Sequence, residues 1–129
     1  MQSASMKAST RKETAVSFLK LSSSGKVDEA YREVSSDFRH HNPYFAGDAE
    51  SLKKGMAENA AKFPSKRFEV KHVLEDGELV AVHSRVQLDP AQPELALVHI
   101  FRFGDDRIVE LWDIAQEVPA ESKNENGMF

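Results

Sequence analysis

Cysteine is absent from this sequence of 129 residues. Its absence excludes disulfide bonds, zinc sites built from thiolates and catalysis by a cysteine nucleophile. Long apolar runs are missing too: no stretch approaches the roughly 18 apolar residues needed to span a bilayer. Residues 1–10 are polar and do not resemble a secretory signal. We therefore expect a cytoplasmic protein that does not associate with membranes.

An excess of positive charge is also missing. The formal net charge is -4, and lysine and arginine are scattered among acidic residues. Domains that bind nucleic acids are usually basic, so we expect no nucleic-acid partner. Hydrophobic residues make up 40% of the chain, as in folded domains, and the length fits one domain. We place it at residues 9–118, between a flexible leader (residues 1–8) and a C-terminal tail (residues 119–129).

Local signals in the N-terminal half predict three helices. Thr10 and Glu13 have the spacing of a capping box, which satisfies backbone N–H groups where a helix begins. Apolar spacing predicts a second, short helix over residues 27–34. Asp48 is suited to cap a third helix, whose apolar residues recur every three or four positions until Pro64.

The C-terminal half changes to the period of two that indicates β-strands. The predicted strands are a segment that starts at Lys66 and ends at the Asp76–Gly77 turn, followed by segments 79–88, 95–103 and 108–118. A further short strand is expected within residues 37–45, leading into a loop. Helices followed by consecutive antiparallel strands indicate an α+β domain. Because a long twisted sheet curls, we expect a cone with helices on one face and a cavity inside.

Alternation assigns each strand side chain to one of two sheet faces. We expect the helix-covered face to be apolar except for Ser84, His99 and Asp113. The other residues expected on this face include Val109, Leu111 and Ala115. Phe68, Val70 and His72 alternate with polar neighbours and are expected to share one face of their own strand. Ile108, Glu110 and Trp112 should then point outward. An apolar wall with a few convergent polar groups is typical of a small-molecule site.

Each candidate also has a purely structural reading. Asp113 could pair with an arginine, and His99 could be a hydrogen-bonded core residue. His41 and Asn42 could simply form the turn into Pro43. His83, with its neighbour Arg85, should face away from the cavity, although one β-bulge would reverse that assignment.

A metal site is not expected from the five histidines. His40 and His41 are adjacent, so on a strand they point to opposite faces. The remaining three lie on different strands, and none has the spacing of a helical metal motif.

Three segments together resemble SnoaL-like proteins of the nuclear-transport-factor-2-like (NTF2-like) superfamily. They are residues 40–47 (HHNPYFAG), residues 79–88 (LVAVHSRVQL) and residues 98–119 (VHIFRFGDDRIVELWDIAQEVP). The final ENGMF is similar to the ending of a bacterial subgroup described as SnoaL-like aldol-condensation proteins. The resemblance implies an α+β cone in which a curved antiparallel sheet packs against three N-terminal helices around a pocket. This fold hosts enzymes and non-catalytic binding proteins alike.

The resemblance also implies roles for particular positions. SnoaL-type polyketide cyclases use an aspartate on a late strand as general acid and base, and Asp113 is similar in place. His99 occupies the place of the protonated aspartic acid of ketosteroid isomerases. Their base precedes a proline, where this chain has Asn42, and their tyrosine donor corresponds to Phe18. The isomerase set is therefore incomplete.

These observations lead to a hypothesis of proton transfer on a small, largely apolar carbonyl compound, in a cyclisation or aldol-type step that needs no cofactor. Asp113 and His99 are the candidate catalytic residues. The candidate substrate-binding residues are His41, Asn42, Tyr44, His83, Phe101 and Leu111. The alternative is a binding or interaction module without chemistry. In either case we expect a homodimer through the outer sheet face, with Trp112, Arg85 and Arg102 at the contact.

Overall fold

The computed structural model describes residues 10–129, so the leader predicted for residues 1–8 lies outside the described residues. Helix α1 (Arg11–Ser23) begins with the predicted capping box: Thr10 Oγ1 accepts from the Glu13 N–H at 3.1 Å, and Glu13 Oε1 accepts from the Thr10 N–H at 2.8 Å. Helix α3 (Ala49–Lys62) begins at Asp48, whose Oδ2 accepts from the Ser51 N–H at 2.9 Å. Both caps confirm the local prediction.

The second helix is shorter than predicted. Helix α2 covers Val27–Ala30, a single turn of 3₁₀ helix covers Tyr31–Glu33, and strand β1 runs over Val34–His40. A helix of one or two turns gains few hydrogen bonds for the residues it orders. Pairing of β1 with the sheet therefore decides the conformation from Val34 onward.

Four further strands form the predicted antiparallel meander: β2 (Arg67–Asp76), β3 (Leu79–Gln87), β4 (Leu95–Gly104) and β5 (Arg107–Glu117). Strand β1 pairs in parallel with β5, which gives the sheet order β1-β5-β4-β3-β2. The sheet is thus mixed rather than wholly antiparallel, and β5 lies between β1 and β4.

The three helices cover one face of this sheet, as predicted. In β3 the side chains of Val80, Val82, Ser84 and Val86 are buried on that face. The Phe18 ring of α1 meets the Phe101 ring of β4 edge to face, with centroids 5.8 Å apart. The buried cluster consists of Ala15, Phe18, Leu19, Ala30, Phe38, Leu52, Val80, Val82, Phe101, Phe103, Ile108 and Leu111.

Two β-bulges reverse the alternation that the sequence predicted. In β2 the pairing skips Lys71, so His72 pairs with His83 on the outer face instead of following Val70 inward. In β5 the pairing skips Val109, so Ile108 turns into the core and is fully buried. An extra residue on one strand moves every later side chain to the opposite face. The predicted common face of Val70 and His72, the inward position of Val109 and the outward position of Ile108 are therefore wrong.

The C-terminal tail returns to the outer face of the sheet. The Phe129 ring stacks on His83 with centroids 6.0 Å apart, and the Arg85 guanidinium lies 4.8 Å from the ring centroid. Within residues 10–129, none of the helices combines the length and the apolarity needed to cross a membrane.

Candidate functional site

A cavity of about 530 Å³ lies between the helices and one end of the sheet. Its walls come from the end of α1, from α3, from the loop after β1 and from the inner face of strands β2 to β5. The lining residues are Leu19, Ser22, Ser23, Asn42, Pro43, Tyr44, Phe45, Gly55, Met56, Asn59, Lys66, Phe68, Val86, Leu88, Leu95, Leu97, His99, Asp113 and Ala115. Most of the wall is apolar, as expected for a site that binds a small organic molecule.

His99 and Asp113 meet in this cavity because they are directly paired across β4 and β5. His99 Nε2 lies 3.4 Å from Asp113 Oδ1, and the two side chains are 7% and 18% exposed. This separation is longer than a well-formed hydrogen bond. The imidazole and the carboxylate are thus adjacent, and neither is fully engaged by the other.

Asn42 holds the other oxygen of the carboxylate. Its Nδ2 donates to Asp113 Oδ2 at 2.8 Å, and its Oδ1 accepts from the Tyr44 N–H at 3.0 Å. A backbone N–H can only donate, so it determines which end of the amide is the oxygen. The amide nitrogen must then face Asp113. The loop after β1 therefore orients the carboxylate and leaves Oδ1 toward His99.

His40 organises that loop. Its Nδ1 accepts from the Asn42 N–H at 3.1 Å, and its Nε2 lies 2.7 Å from the Ala46 carbonyl oxygen. Since a carbonyl oxygen can only accept, Nε2 carries the proton and Nδ1 does not. A neutral His40 thus bridges both ends of the turn that presents Asn42.

Burial governs the electrostatics of His99. Removal from water lowers the pKa of His99, and the Asp113 carboxylate opposes this shift. The imidazole is therefore held neutral near pH 7. With a carboxylate beside Nε2, the proton is favoured on that nitrogen. Nδ1 is buried and has no hydrogen-bond partner among the residues that the structure covers.

A glycine allows the loop to close one wall of the cavity. A Cβ atom on Gly55 in α3 would lie only 2.3 Å from Phe45 Cε1. Glycine in the interior of a helix costs about 1 kcal/mol relative to alanine. Here it gives the Phe45 ring room to lie against α3 beside Asn42.

The structure brings four of the eight predicted site residues to the cavity: Asn42, Tyr44, His99 and Asp113. Phe101 and Leu111 share the inner face but have no exposed surface, because they lie deeper in the core. The structure does not bring them to the cavity wall, and their contact with a substrate stays a prediction.

His83 and His41 are on the outer face. His83 stacks on His72 with its Nδ1 3.0 Å from the His72 Nδ1. His41 contacts Glu110 and stacks on Trp112, with centroids 5.1 Å apart. Their side chains lie on the side of the sheet opposite the cavity, as alternation indicated for His83, and their contacts with a ligand stay predictions.

Glu110 is the centre of a polar cluster on that outer face. The carboxylate accepts from Arg39 at 3.0 and 3.2 Å, from Arg102 at 3.3 Å, and lies 2.7 Å from His41 Nε2. Hydrogen bonds from Arg39 and His41 lower the pKa of Glu110 to about 2. This carboxylate is fully engaged in ion pairs and hydrogen bonds.

The residues proposed for a dimer contact lie on the same outer face. The Arg102 guanidinium lies 5.5 Å from the centroid of the Trp112 ring. Arg85 pairs with Glu94 at 2.6 Å. The homodimer expected through this face stays a prediction. Sedimentation experiments that find a dimeric wild-type protein and a monomeric Trp112→Ala variant would support it.

Sequence reasoning missed several cavity residues, above all Lys66 and Asn59. The Lys66 Nζ donates to Asn59 Oδ1, and burial lowers the pKa of Lys66. Lys66 lies in a turn between α3 and β2, where no periodicity assigns a direction to a side chain. Among residues 10–129, no group of three or more histidine, aspartate or glutamate side chains could hold a metal ion.

The three helices and the curved five-stranded sheet form an α+β fold of the nuclear-transport-factor-2-like kind. The family model for SnoaL-like polyketide cyclases matches residues 13–123, and the chain belongs to this family. No curated protein matches the sequence.

Solved structures share this fold at low sequence identity. An uncharacterised cystatin-fold protein from Novosphingobium aromaticivorans has a TM-score of 0.72 and 19% identity, over 83% of this chain and 99% of that one. A SnoaL-like protein of unknown function from Burkholderia thailandensis has a TM-score of 0.69 and 16% identity, over 85% and 98%. IdmH from Streptomyces antibioticus, provisionally described as a polyketide cyclase, has a TM-score of 0.67 and 23% identity, over 84% and 93%.

Proposed function

We propose that this protein catalyses proton transfer at a carbon atom next to the carbonyl group of a small ligand, without a cofactor. The observation that carries the proposal is the geometry around Asp113. One carboxylate oxygen is held by Asn42 at 2.8 Å, and the other lies beside a buried imidazole at the wall of an apolar cavity. A partly desolvated carboxylate with a neutral hydrogen-bond donor beside it is suited to general acid–base catalysis.

The proposed step moves one proton. Asp113 Oδ1 takes a proton from the carbon atom next to the carbonyl, so that a C–H bond breaks and an O–H bond forms. The electron pair of the C–H bond passes to the carbonyl oxygen as an enolate. Delivery of a solvent-derived proton to the same carbon gives exchange, and delivery of the proton to another carbon gives isomerisation. Attack of the enolate carbon on a second carbonyl forms a C–C bond and an alkoxide, which takes the proton from Asp113 and completes an aldol-type cyclisation.

His99 supplies the hydrogen bond that the enolate needs. Its neutral Nε2–H is 3.4 Å from Asp113, a separation too long for the pair to satisfy each other. A ligand carbonyl bound in the cavity beside this pair can accept a hydrogen bond from Nε2–H. A donor aimed at the developing oxyanion in a dry site stabilises the transition state strongly.

Family membership supports the proposal, since the matching model describes SnoaL-like polyketide cyclases. The description of IdmH as a polyketide cyclase also supports a cyclisation. The identity of 23% to that protein does not carry its substrate over. The proposal therefore names a reaction type and a carbonyl ligand only.

The test is hydrogen exchange into a panel of methyl ketones dissolved in D₂O, followed by proton NMR. We expect the wild-type protein to accelerate exchange next to the carbonyl, and Asp113→Asn to lower the rate at least about a hundredfold. Glu117→Gln removes an exposed carboxylate from the end of the same strand and should leave the rate unchanged. A folded Asp113→Asn variant with wild-type exchange would end the proposed mechanism.

A binding protein without chemistry is the second candidate. The open contact of 3.4 Å between His99 and Asp113 also suits a pocket in which these side chains only hydrogen-bond a bound molecule. Exchange equal to the buffer rate in a protein that binds the same ketones would favour this second function.

A further inference from the structure

Among the described residues that line the cavity, Lys66 is the only lysine or arginine. It lies between α3 and β2, and its side chain is half-buried. Its Nζ donates to Asn59 Oδ1, a neutral oxygen. The ammonium group therefore has a dipole beside it but no opposite charge.

Two other lysines are paired with carboxylates. Lys53 Nζ lies 2.8 Å from Asp28 Oδ1, and Lys71 Nζ lies 3.7 Å from Glu69 Oε2. Lys66 has no carboxylate within 4.0 Å among residues 10–129. Half-burial of an ammonium without a counter-charge is unfavourable, and the pKa of Lys66 is lowered for this reason. An anion that entered the cavity would remove this cost.

The position of Lys66 separates it from the reactive pair. Lys66 precedes β2, whereas Asp113 lies on β5, and strands β3 and β4 lie between them. Strands in a sheet are about 4.8 Å apart, so β2 and β5 are separated by about 14 Å along the sheet. The long side chain of lysine spans part of this distance, and the cavity spans the rest.

On the basis of the proposed function, we infer that the cavity selects keto acids, with the ketone at His99 and Asp113 and the carboxylate at Lys66. Apart from Asp113 and Lys66, the side chains that line the cavity are uncharged. A negative charge on the ligand would be repelled by Asp113 at one end and attracted by Lys66 at the other. The charges of the cavity therefore determine the orientation of the ligand as well as its class.

A structural role for Lys66 is the alternative that the test must separate. Its backbone N–H donates to the Phe63 carbonyl at 3.1 Å, and its side chain links the turn to Asn59 in α3. Lys66→Met keeps the aliphatic stem and removes the charge. Asn59→Ala removes the same hydrogen bond and keeps the charge. Lys62→Gln removes a lysine from the exposed surface of the same region.

The experiment measures the affinities of levulinate, of its homologues with longer methylene chains, and of the methyl ester of each, by calorimetry. For the best chain length we expect the wild-type protein to bind the acid about tenfold more tightly than the ester, as for a charge-assisted hydrogen bond. Lys66→Met should bring that ratio to about one, while Asn59→Ala and Lys62→Gln keep it. Acids that bind no more tightly than their esters, or a ratio that survives Lys66→Met, would overturn the inference.

The readout separates this inference from the proposed function. Binding selectivity requires no chemistry, so Asp113→Asn should retain or increase the preference for the acid. If the wild-type protein catalyses no hydrogen exchange but binds acids more tightly than esters in a way that depends on Lys66, only the proposed function is contradicted. Catalysed exchange in neutral ketones without any preference for acids would contradict the keto-acid assignment alone.

Discussion

Glu110 and Asp113 are two carboxylates on one strand, and they have opposite surroundings. Glu110 points outward and is surrounded by Arg39, Arg102 and His41. Asp113 points into the cavity, where it has a single hydrogen bond from Asn42 and a loose contact with His99. Being three positions apart on a strand, they lie on opposite faces of the sheet.

The comparison shows how burial can serve two purposes. Ion pairs and hydrogen bonds stabilise the charge of Glu110, and its folded state gains free energy from them. The carboxylate of Asp113 is incompletely paired, and so it can still accept a proton from a ligand. We therefore expect changes at the outer face to affect stability and changes at the inner face to affect chemistry.

After Asp113→Asn, the largest expected effect comes from His99→Leu, which tests the inner face. Loss of the Nε2–H donor should slow ketone exchange about a hundredfold. The free energy of unfolding should not decrease, because the variant also removes a buried Nδ1 atom without a partner. His99→Gln, which retains a donor, should recover part of the rate. Equal exchange rates in His99→Leu and the wild-type protein would contradict the role of His99.

Glu110→Gln tests whether the polar cluster on the outer face stabilises the fold. The amide cannot replace the charge that Arg39, Arg102 and His41 surround, so we expect a loss of about 2 kcal/mol in the free energy of unfolding. Urea denaturation measures this loss. The control is Glu78→Gln, which removes an exposed partner of Arg102 and should cost less than about 1 kcal/mol. Similar losses in both variants would show that the cluster is not a stabilising centre.

The free energy of unfolding should depend on pH differently through the inner face and through the outer face. Burial lowers the pKa of His99 below its ordinary 6.5, so the unfolded chain binds the proton more readily, and stability falls as the pH decreases below about 6.5. Glu110 has a pKa lowered from 4.5 to about 2, so its contribution is lost as the pH decreases through that window.

Urea denaturation at a series of pH values tests this order. We expect His99→Leu to remove the decrease at higher pH and Glu110→Gln to remove the decrease at lower pH. If the free energy of unfolding of His99→Leu shows both decreases unchanged, the buried imidazole does not resist protonation.

The smallest expected effect comes from Gly55→Ala, which alters the inner wall without touching either carboxylate. The new Cβ atom would displace the Phe45 ring, whose exposed fraction is 39%. The gain of about 1 kcal/mol in helix propensity offsets the lost packing, so stability should change by less than about 1 kcal/mol. We expect ketone affinity to fall about threefold. Thermal unfolding and calorimetry measure the two quantities.

The fold was largely predictable because its signals are local. The Thr10–Glu13 capping box, the Asp48 cap and the alternation of β3 each follow from a few adjacent residues, and the resemblance to the family adds their arrangement. The early end of α2 and the parallel pairing of β1 with β5 were not predictable, because both depend on contacts between residues far apart in the chain.

The candidate site was only half predictable, since alternation gives a face but not a depth. Phe101 and His99 share a face, yet only His99 reaches the cavity. Bulges at Lys71 and Val109 leave no mark in the composition of their strands. One signal was available for His40: it lies two residues after Phe38, an apolar residue suited to the inner face, which assigns His40 inward and His41 outward.

The central claim is that Asp113, and not Glu110, is free to exchange protons with a bound carbonyl compound. Its most direct test is the rate of hydrogen exchange into a methyl ketone, per folded molecule, in Asp113→Asn and Glu110→Gln measured side by side. We predict a loss of at least about a hundredfold in the first variant and a rate within about threefold of wild type in the second. Equal rates in the two variants, or a greater loss in Glu110→Gln, would contradict the account.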